Sequence, residues 1–153
     1  MKVHLVTVGR VKDKNLLALN RHYEERIGHY VPFQTHSVRE GRGPDQQVKT
    51  AEAQALKAAI PEGAHVVLLD ERGENWTSVE LSERLQTWMN RSTKHVAFVI
   101  GGAAGLDPEW LKVADTRLAL SAMTLPHEIA RLIVVEQIYR ACTILRGEPY
   151  HKA

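Results

Sequence analysis

Two runs constrain this chain more than anything else in it. AHVVLLD (64–70) and HVAFVI (95–100) are apolar at nearly every position rather than at every second one. A strand with one wet face alternates apolar and polar residues, so such a run reads as a strand covered on both faces. Further strand-like runs are KVHLVTV (2–8), the half-polar FQTHSV (33–38), which suits a sheet edge, and, more weakly, RLALS (117–121). Between them lie helical patterns. Leu16, Leu19, Tyr23, Ile27 and Tyr30 recur at three- and four-residue steps, as do Leu81, Leu85, Trp88 and Met89, each set making one apolar stripe. Thr77 with Glu80 forms a capping box, and Asp107 before Pro108 suits an N-cap and first helical position. The order β-α-β-α-β-α-β-α-β-α predicts an α/β fold with a mainly parallel sheet flanked by helices on both faces. In such folds ligands bind at the carboxyl ends of the strands.

A chain of 153 residues suffices for one compact domain with its own core, and no repeat, low-complexity tract or linker divides it. REGRGPDQ (39–46) reads as its most flexible loop. Twenty basic against eighteen acidic residues give a formal charge of +2, which permits an RNA or phosphate partner without demanding one. The single Cys142 has no disulfide partner in the chain and stands in an apolar helical stretch, where a thiol serves as a small hydrophobe. A reducing cytoplasm suits it. MKVHLVTVGR lacks the long apolar core and cleavage site of a signal peptide. The window 129–145 is interrupted by Arg131, Glu136, Gln137 and Arg140, so it reads as a buried helix rather than a membrane span. Its apolar residues, from Ile129 through Val135 to Leu145, are too many for one stripe, which predicts a homodimer interface on this helix.

Three segments at predicted carboxyl edges carry the functional signal. IGGAAGL (100–106) follows the fourth strand, and its glycines suit either a tight turn or the close approach of backbone to a ligand. It matches neither the lysine-bearing phosphate loop nor the GxGxxG spacing. LSAMTLPH (120–127) follows the fifth strand; Ser121 and Thr124 offer hydrogen bonds, and Leu120, Met123 and Leu125 offer apolar walls. By itself it is also a plausible loop into a helix with Pro126 near its first turn. Beside Leu69-Asp70 at the end of the third strand, the three loops together outline a crevice.

Several other patterns weigh less. His127-Glu128 begins like a zinc helix, but Arg131 stands where the second histidine belongs, so no metal is expected. His22, His29 and His36 share no helix face and read as surface residues. No GxSxG elbow is present. In the tail RGEPYHKA (146–153), Arg146, Tyr150, His151 and Lys152 set an aromatic ring among cations. That is either a frayed terminus or a stacking platform for RNA, which Arg131 and Arg140 on the preceding helix would extend.

Taken in order, LD at 69–70, IGGAAGL at 100–106, LSAMTLPH at 120–127, EQIYRA at 136–141 and RGEPYHK at 146–152 resemble the RlmH family of SPOUT methyltransferases over essentially the whole chain. The resemblance implies one SPOUT methyltransferase domain over 1–153, with a C-terminal trefoil knot in place of an ordinary doubly wound sheet. It implies S-adenosyl-L-methionine as cofactor, a homodimer, and methylation of N3 of a pseudouridine in 23S ribosomal RNA, on the stem-loop that faces the small subunit. The substrate is then 23S rRNA itself or an assembled ribosome. The family's cofactor contacts fall on Leu69, Gly101 with its neighbour Gly102, and Leu120, Ser121, Ala122, Met123, Thr124 and Leu125. Its tyrosine-histidine pair falls on Tyr150 and His151, near the RNA base. Arg140, Arg146, Tyr150, His151 and Lys152 are the expected RNA contacts. His127, Arg131 and His151 are the candidates for chemistry on the base, since imidazole titrates near neutral pH and an arginine stabilises a deprotonated ring. Two other readings stay open: a ribosome-associated RNA-binding protein of the same fold without catalysis, and an α/β enzyme using another adenine cofactor.

Overall fold

Parallel strands need a crossover between each pair, and the helices of this chain supply them. The computed structural model describes residues 1–152. In chain order the elements are β1 (Lys2–Val8), α1 (Lys14–Ile27), β2 (Phe33–Val38), α2 (Asp45–Ala59), β3 (His65–Asn75), α3 (Ser78–Asn90), β4 (His95–Ile100), α4 (Trp110–Val113), β5 (Thr116–Ala119) and α5 (His127–Leu145). The strands form one wholly parallel sheet in the order β2-β1-β4-β3-β5. β1 pairs with β4 from Lys2–His95 to Thr7–Ile100 and with β2 from Val3–Phe33 to Val8–Val38. The half-polar β2 is an edge strand, as its composition requires.

Alternation sorts the strand residues between two cores. Val3, Leu5, Val67, Phe98 and Leu118 face α1, α3 and α5, packing on Ile27, Leu85, Trp88, Val134 and Ile138. Val6, Val8, Leu68, Ala97 and Val99 face the other layer, where Leu56 of α2 and Trp110 of α4 cover them. Caps fix the helix starts. Asp13 accepts from the backbone N–H groups of Asn15 and Leu16, and Thr77 with Glu80 forms the predicted capping box, its two bonds being 3.1 and 2.6 Å.

Three expectations change. The third strand runs on to Asn75, and Leu69 and Glu74 both stand opposite Leu118, so residues 70–73 bulge out of the ladder. At the bulge a Cβ on Gly73 would come within 2.6 Å of the Arg117 carbonyl, so only glycine fits. The helix expected from Asp107 is reduced to one turn at Trp110–Val113, with Asp107 accepting from the Glu109 N–H at 2.9 Å. The apolar surplus of α5 serves mostly this chain's own core: Val134, Val135, Ile138, Tyr139, Ala141 and Cys142 are buried against the sheet and its neighbouring helices. Only Ile129, Leu132, Ile133, Ile144 and Leu145 stay half-buried. Burial pushes the Cys142 thiol up to about 11, in keeping with an inert hydrophobe. Among the described residues no helix is long and apolar enough to cross a membrane.

His36 is not the surface residue the sequence suggests, whereas His22 and His29 are exposed. His4, 2% exposed on β1, bonds through Nδ1 to Nε2 of His36 (3.1 Å) on β2 and through Nε2 to Nδ1 of His95 (3.0 Å) on β4. Alternation on three neighbouring strands brings these rings to one face of the sheet. Burial, then the charges of His36, His95 and Lys2, lower the His4 pKa from 6.5 to about 4. The unfolded chain therefore takes up the proton before the folded one does. The stability held by a neutral His4 is complete above pH 6.5 and drains away as pH falls toward about 4. We expect a loss of about 2 kcal/mol across that window, near 5 °C in Tm, on the order expected for a depressed histidine in a domain of this size. Thermal melts of His4→Gln should show a flatter slope over the same pH range; equal slopes would remove His4 as the cause.

Candidate functional site

Because all strands run the same way, the segments after β3, β4 and β5 emerge at one edge, and there they enclose a cavity of about 580 Å³. Leu69–Arg72 supply one wall, the turn from Ile100 to Leu106 a second, and Leu120–His127 a third. Each wall has a local cause. In the turn Gly105 takes φ +91°, and a Cβ on Gly101 would lie 2.6 Å from Cδ2 of Leu106, which folds back over it. In the third wall the Met123 N–H donates to the Ser121 hydroxyl (3.0 Å), a local turn that keeps the segment out of helix until Pro126. Thr124 donates to Glu71 (2.9 Å) and so ties the third wall to the first.

The lining mixes two kinds of residue: Leu69, Ile100, Leu106, Leu118, Leu120 and Leu125 are apolar, while Asp70, Glu71, Arg72, Ser121, Thr124 and His127 are polar. Asp70 is 8% exposed; burial opposes its charge, but side-chain and backbone hydrogen bonds from Arg72 (3.1 to 3.2 Å) hold the carboxyl below its usual range, helped by Arg117 at 3.8 Å. Asp70 thereby braces the bulged end of β3.

Leu69, Gly101, Gly102, Leu120, Ser121, Met123, Thr124 and Leu125 all line this cavity. Ala122 does not; it is exposed beside the lining. Met123, expected as an apolar wall, is 77% exposed and stands at the mouth. Of the three candidates for chemistry, His127 and Arg131 line one small pocket with Arg10 and Glu128, whereas His151 lies apart. His127 lines the cavity at the start of α5, but Arg131, 9% exposed, turns inward, with its guanidinium 3.4 Å from the Thr7 hydroxyl and 3.5 Å from Glu24. It braces α5 against β1 and α1, while its Nε has no hydrogen-bond partner. His151 belongs to a separate cluster at the far end of α5.

That cluster holds Tyr150 and His151 of the tail against α5. Glu136 accepts from Arg140 (2.7 and 3.1 Å) and from the Tyr150 hydroxyl (2.9 Å), while Arg140 stacks 4.8 Å from the Tyr150 ring and lies 3.2 Å from Nδ1 of His151. Tyr150 also meets Tyr139 edge to face at 4.7 Å. Arg146 sits 5.3 Å over Tyr30, and Lys152 is exposed. Burial and hydrogen bonding raise the Tyr150 pKa, so the phenol stays protonated as a donor. Glu136 organises the group, although sequence reading passed over it; its four-residue spacing from Arg140 was the available signal. His127 and Arg140 stand more than three turns apart on one helix, roughly 20 Å along its axis.

A protein-family model described as "Predicted SPOUT methyltransferase" matches residues 1–151. Proteins named "Ribosomal RNA large subunit methyltransferase H" are similar over 99% of this chain and 100% of their own length: 47% identical in Anaeromyxobacter sp. (strain K), 43% in Gemmatimonas aurantiaca and 39% in Acetivibrio thermocellus. A solved structure described as a probable methylase family protein from Haemophilus influenzae Rd KW20 shares the fold with a TM-score of 0.58 at 14% identity, covering 99% of this chain and 70% of that one.

The cavity depends on Leu106 lying over a bare Gly101. Gly101→Val should push Leu106 aside and weaken binding of S-adenosylmethionine at least tenfold by calorimetry, with Tm lowered by only a few degrees because the flexible end of a leucine side chain can give way. Unaltered affinity would place the ligand elsewhere.

Proposed function

Given that the chain belongs to the SPOUT methyltransferase family and resembles the large-subunit rRNA methyltransferases H along its full length, we propose that it moves a methyl group from S-adenosylmethionine to N3 of a pseudouridine in 23S rRNA. The stem-loop facing the small subunit is its target, the cytoplasm its place and a homodimer its working form. The observation that carries this reading is the cavity at the strand carboxyl edge, walled by the run 120–125 and floored by a glycine turn.

The residues fit such a cofactor. The cavity volume suits a drug-sized ligand, its leucines suit an adenine ring, and the backbone of 120–125 can read the polar edge of that ring. When bound there, the sulfonium supplies an electrophilic methyl group. The protein's part is placement: the Gly101–Gly102 turn, packed under Leu106, presents its backbone as one wall, while Leu120 and Leu125 exclude water. N3 of the base carries a weakly acidic proton that must leave before the nitrogen attacks. His127, in the polar lining of the cavity, is the imidazole positioned to accept it. The knot implied by the resemblance belongs to the same reading, with the 120–126 segment threaded past the 70–73 bulge; the Thr124–Glu71 bond between them supports it.

The tail cluster lies too far along α5 to serve the cavity of its own chain, so in a dimer it serves the partner's. Mixing Gly101→Val with His151→Ala, at limiting S-adenosylmethionine where each alone is nearly inactive, should then restore part of the activity, about a quarter with random pairing. Half-buried Ile129, Leu132 and Ile133 offer the apolar stripe for that contact. Ile133→Glu should give monomers in sedimentation, and an intact dimer would move the interface off α5. The central test compares 23S rRNA from cells with and without the protein by mass spectrometry. One N3-methylpseudouridine should disappear in its absence; an unchanged pattern, or no binding at millimolar S-adenosylmethionine, would leave an RNA-binding protein of this fold.

A further inference from the structure

A second cavity, of about 480 Å³, adjoins the first at Gly102, Ala103 and His127. It opens above β1 between the loop after β1, the loop before α2 and the start of α5, and Arg10, Lys12, Glu40, Asp45, Glu52 and Glu128 line it. Its carboxylates differ in one respect. Glu128 accepts from the Lys12 backbone N–H, and Glu40 pairs with the Lys12 ammonium at 3.7 Å. Glu52 is 5% exposed; its Oε2 accepts from the Gly41 N–H at 3.0 Å, and its Oε1 has no hydrogen-bond partner. No cation pairs with it among the described residues. A carboxylate oxygen buried without a donor is costly, so its presence beside a cavity points to a ligand that brings the donor. Only glycine at 102 leaves room for that oxygen, since a Cβ there would come within 2.7 Å of it.

Resting on the function proposed above, we propose that this second cavity receives the target base and that Glu52 accepts the N1–H of pseudouridine. Methyl transfer needs the acceptor base beside the cofactor cavity. The pocket between α3 and α5 is walled mainly by Leu81, Phe98, Leu118, Ile133 and Ile138, with no buried side-chain acceptor left unpartnered in it, and the one beside Ile100 and His127, of only about 10 Å³, is too small for a base. The chemistry of the base selects the edge. N3 must face the methyl group, and with N3 so engaged the pyrimidine has one N–H left. In pseudouridine that is N1–H, because the sugar is attached through C5. In uridine N1 carries the sugar and no such donor exists. A buried acceptor at this position therefore tells the two apart, since a site built to bond an N–H rejects the isomer that lacks it. Arg10 and Lys12 at the rim are placed for the flanking phosphates.

The test uses RNA in whichever form the wild type methylates, changed only at the target nucleotide. Wild-type enzyme should methylate pseudouridine at least thirtyfold faster than uridine or N1-methylpseudouridine, which keeps N3–H and lacks N1–H. In Glu52→Gln the Gly41 N–H holds the amide oxygen, so an NH2 group replaces the acceptor. Affinity for S-adenosylmethionine should stay within about twofold, while transfer to pseudouridine falls at least thirtyfold and the preference over uridine collapses. Wild-type transfer to N1-methylpseudouridine at the pseudouridine rate would overturn the proposal without any variant. So would a Glu52→Gln enzyme that keeps its preference. Failure of the wild type to bind cofactor or to methylate RNA at all would instead strike the function on which the proposal rests.

Discussion

The uniform direction of the five strands decides most of what this molecule can do. Each strand delivers its chain to the same edge, so three segments spread between Leu69 and His127 converge there without any dedicated motif to join them. The order β2-β1-β4-β3-β5 matters as much as the direction. By placing β4 between β1 and β3, it puts the 100–106 turn at the centre of the edge, with the larger cavity over β3 and β5 on one side and a second cavity over β1 on the other. Gly102 is the point they share.

α5 turns that edge into a working geometry. It begins at the cavity wall with His127, runs through the core between α1 and α3, and ends at the aromatic and basic cluster of the tail. Its central residues are too deeply packed to move independently, and Arg131 fixes the helix to β1 and α1 from inside. A rigid rod of this length holds the cavity and the tail cluster of one chain apart, which is why the proposed joint use of the two calls for a second chain.

Much of this was legible from residue order. The strand runs, the stripes of α1 and α3, the capping box and the three loops all follow from local periodicity and from the backbone demands of glycine and proline. The readings that failed were of another kind. The brace from Arg131 to Thr7 and Glu24 left no local signal, because both partners lie more than a hundred residues away. His36 looked superficial because His4 and His95 meet it only across strand pairings. The bulge at 70–73 left no signal beyond Gly73, whose reason is the Arg117 backbone opposite.

By itself, then, the order of residues determined an α/β chain with buried parallel strands, the loops that would carry a ligand, and the resemblance that named the chemistry. Those are properties of short windows, where period and backbone preference act. Only the tertiary structure decided which polar groups found partners and which did not: Asp70 with Arg72 and Arg117, Glu136 with the tail, and Glu52 with one oxygen bonded and one bare. Satisfaction of a buried charge depends on what distant segments bring to it, and no window of sequence contains that information.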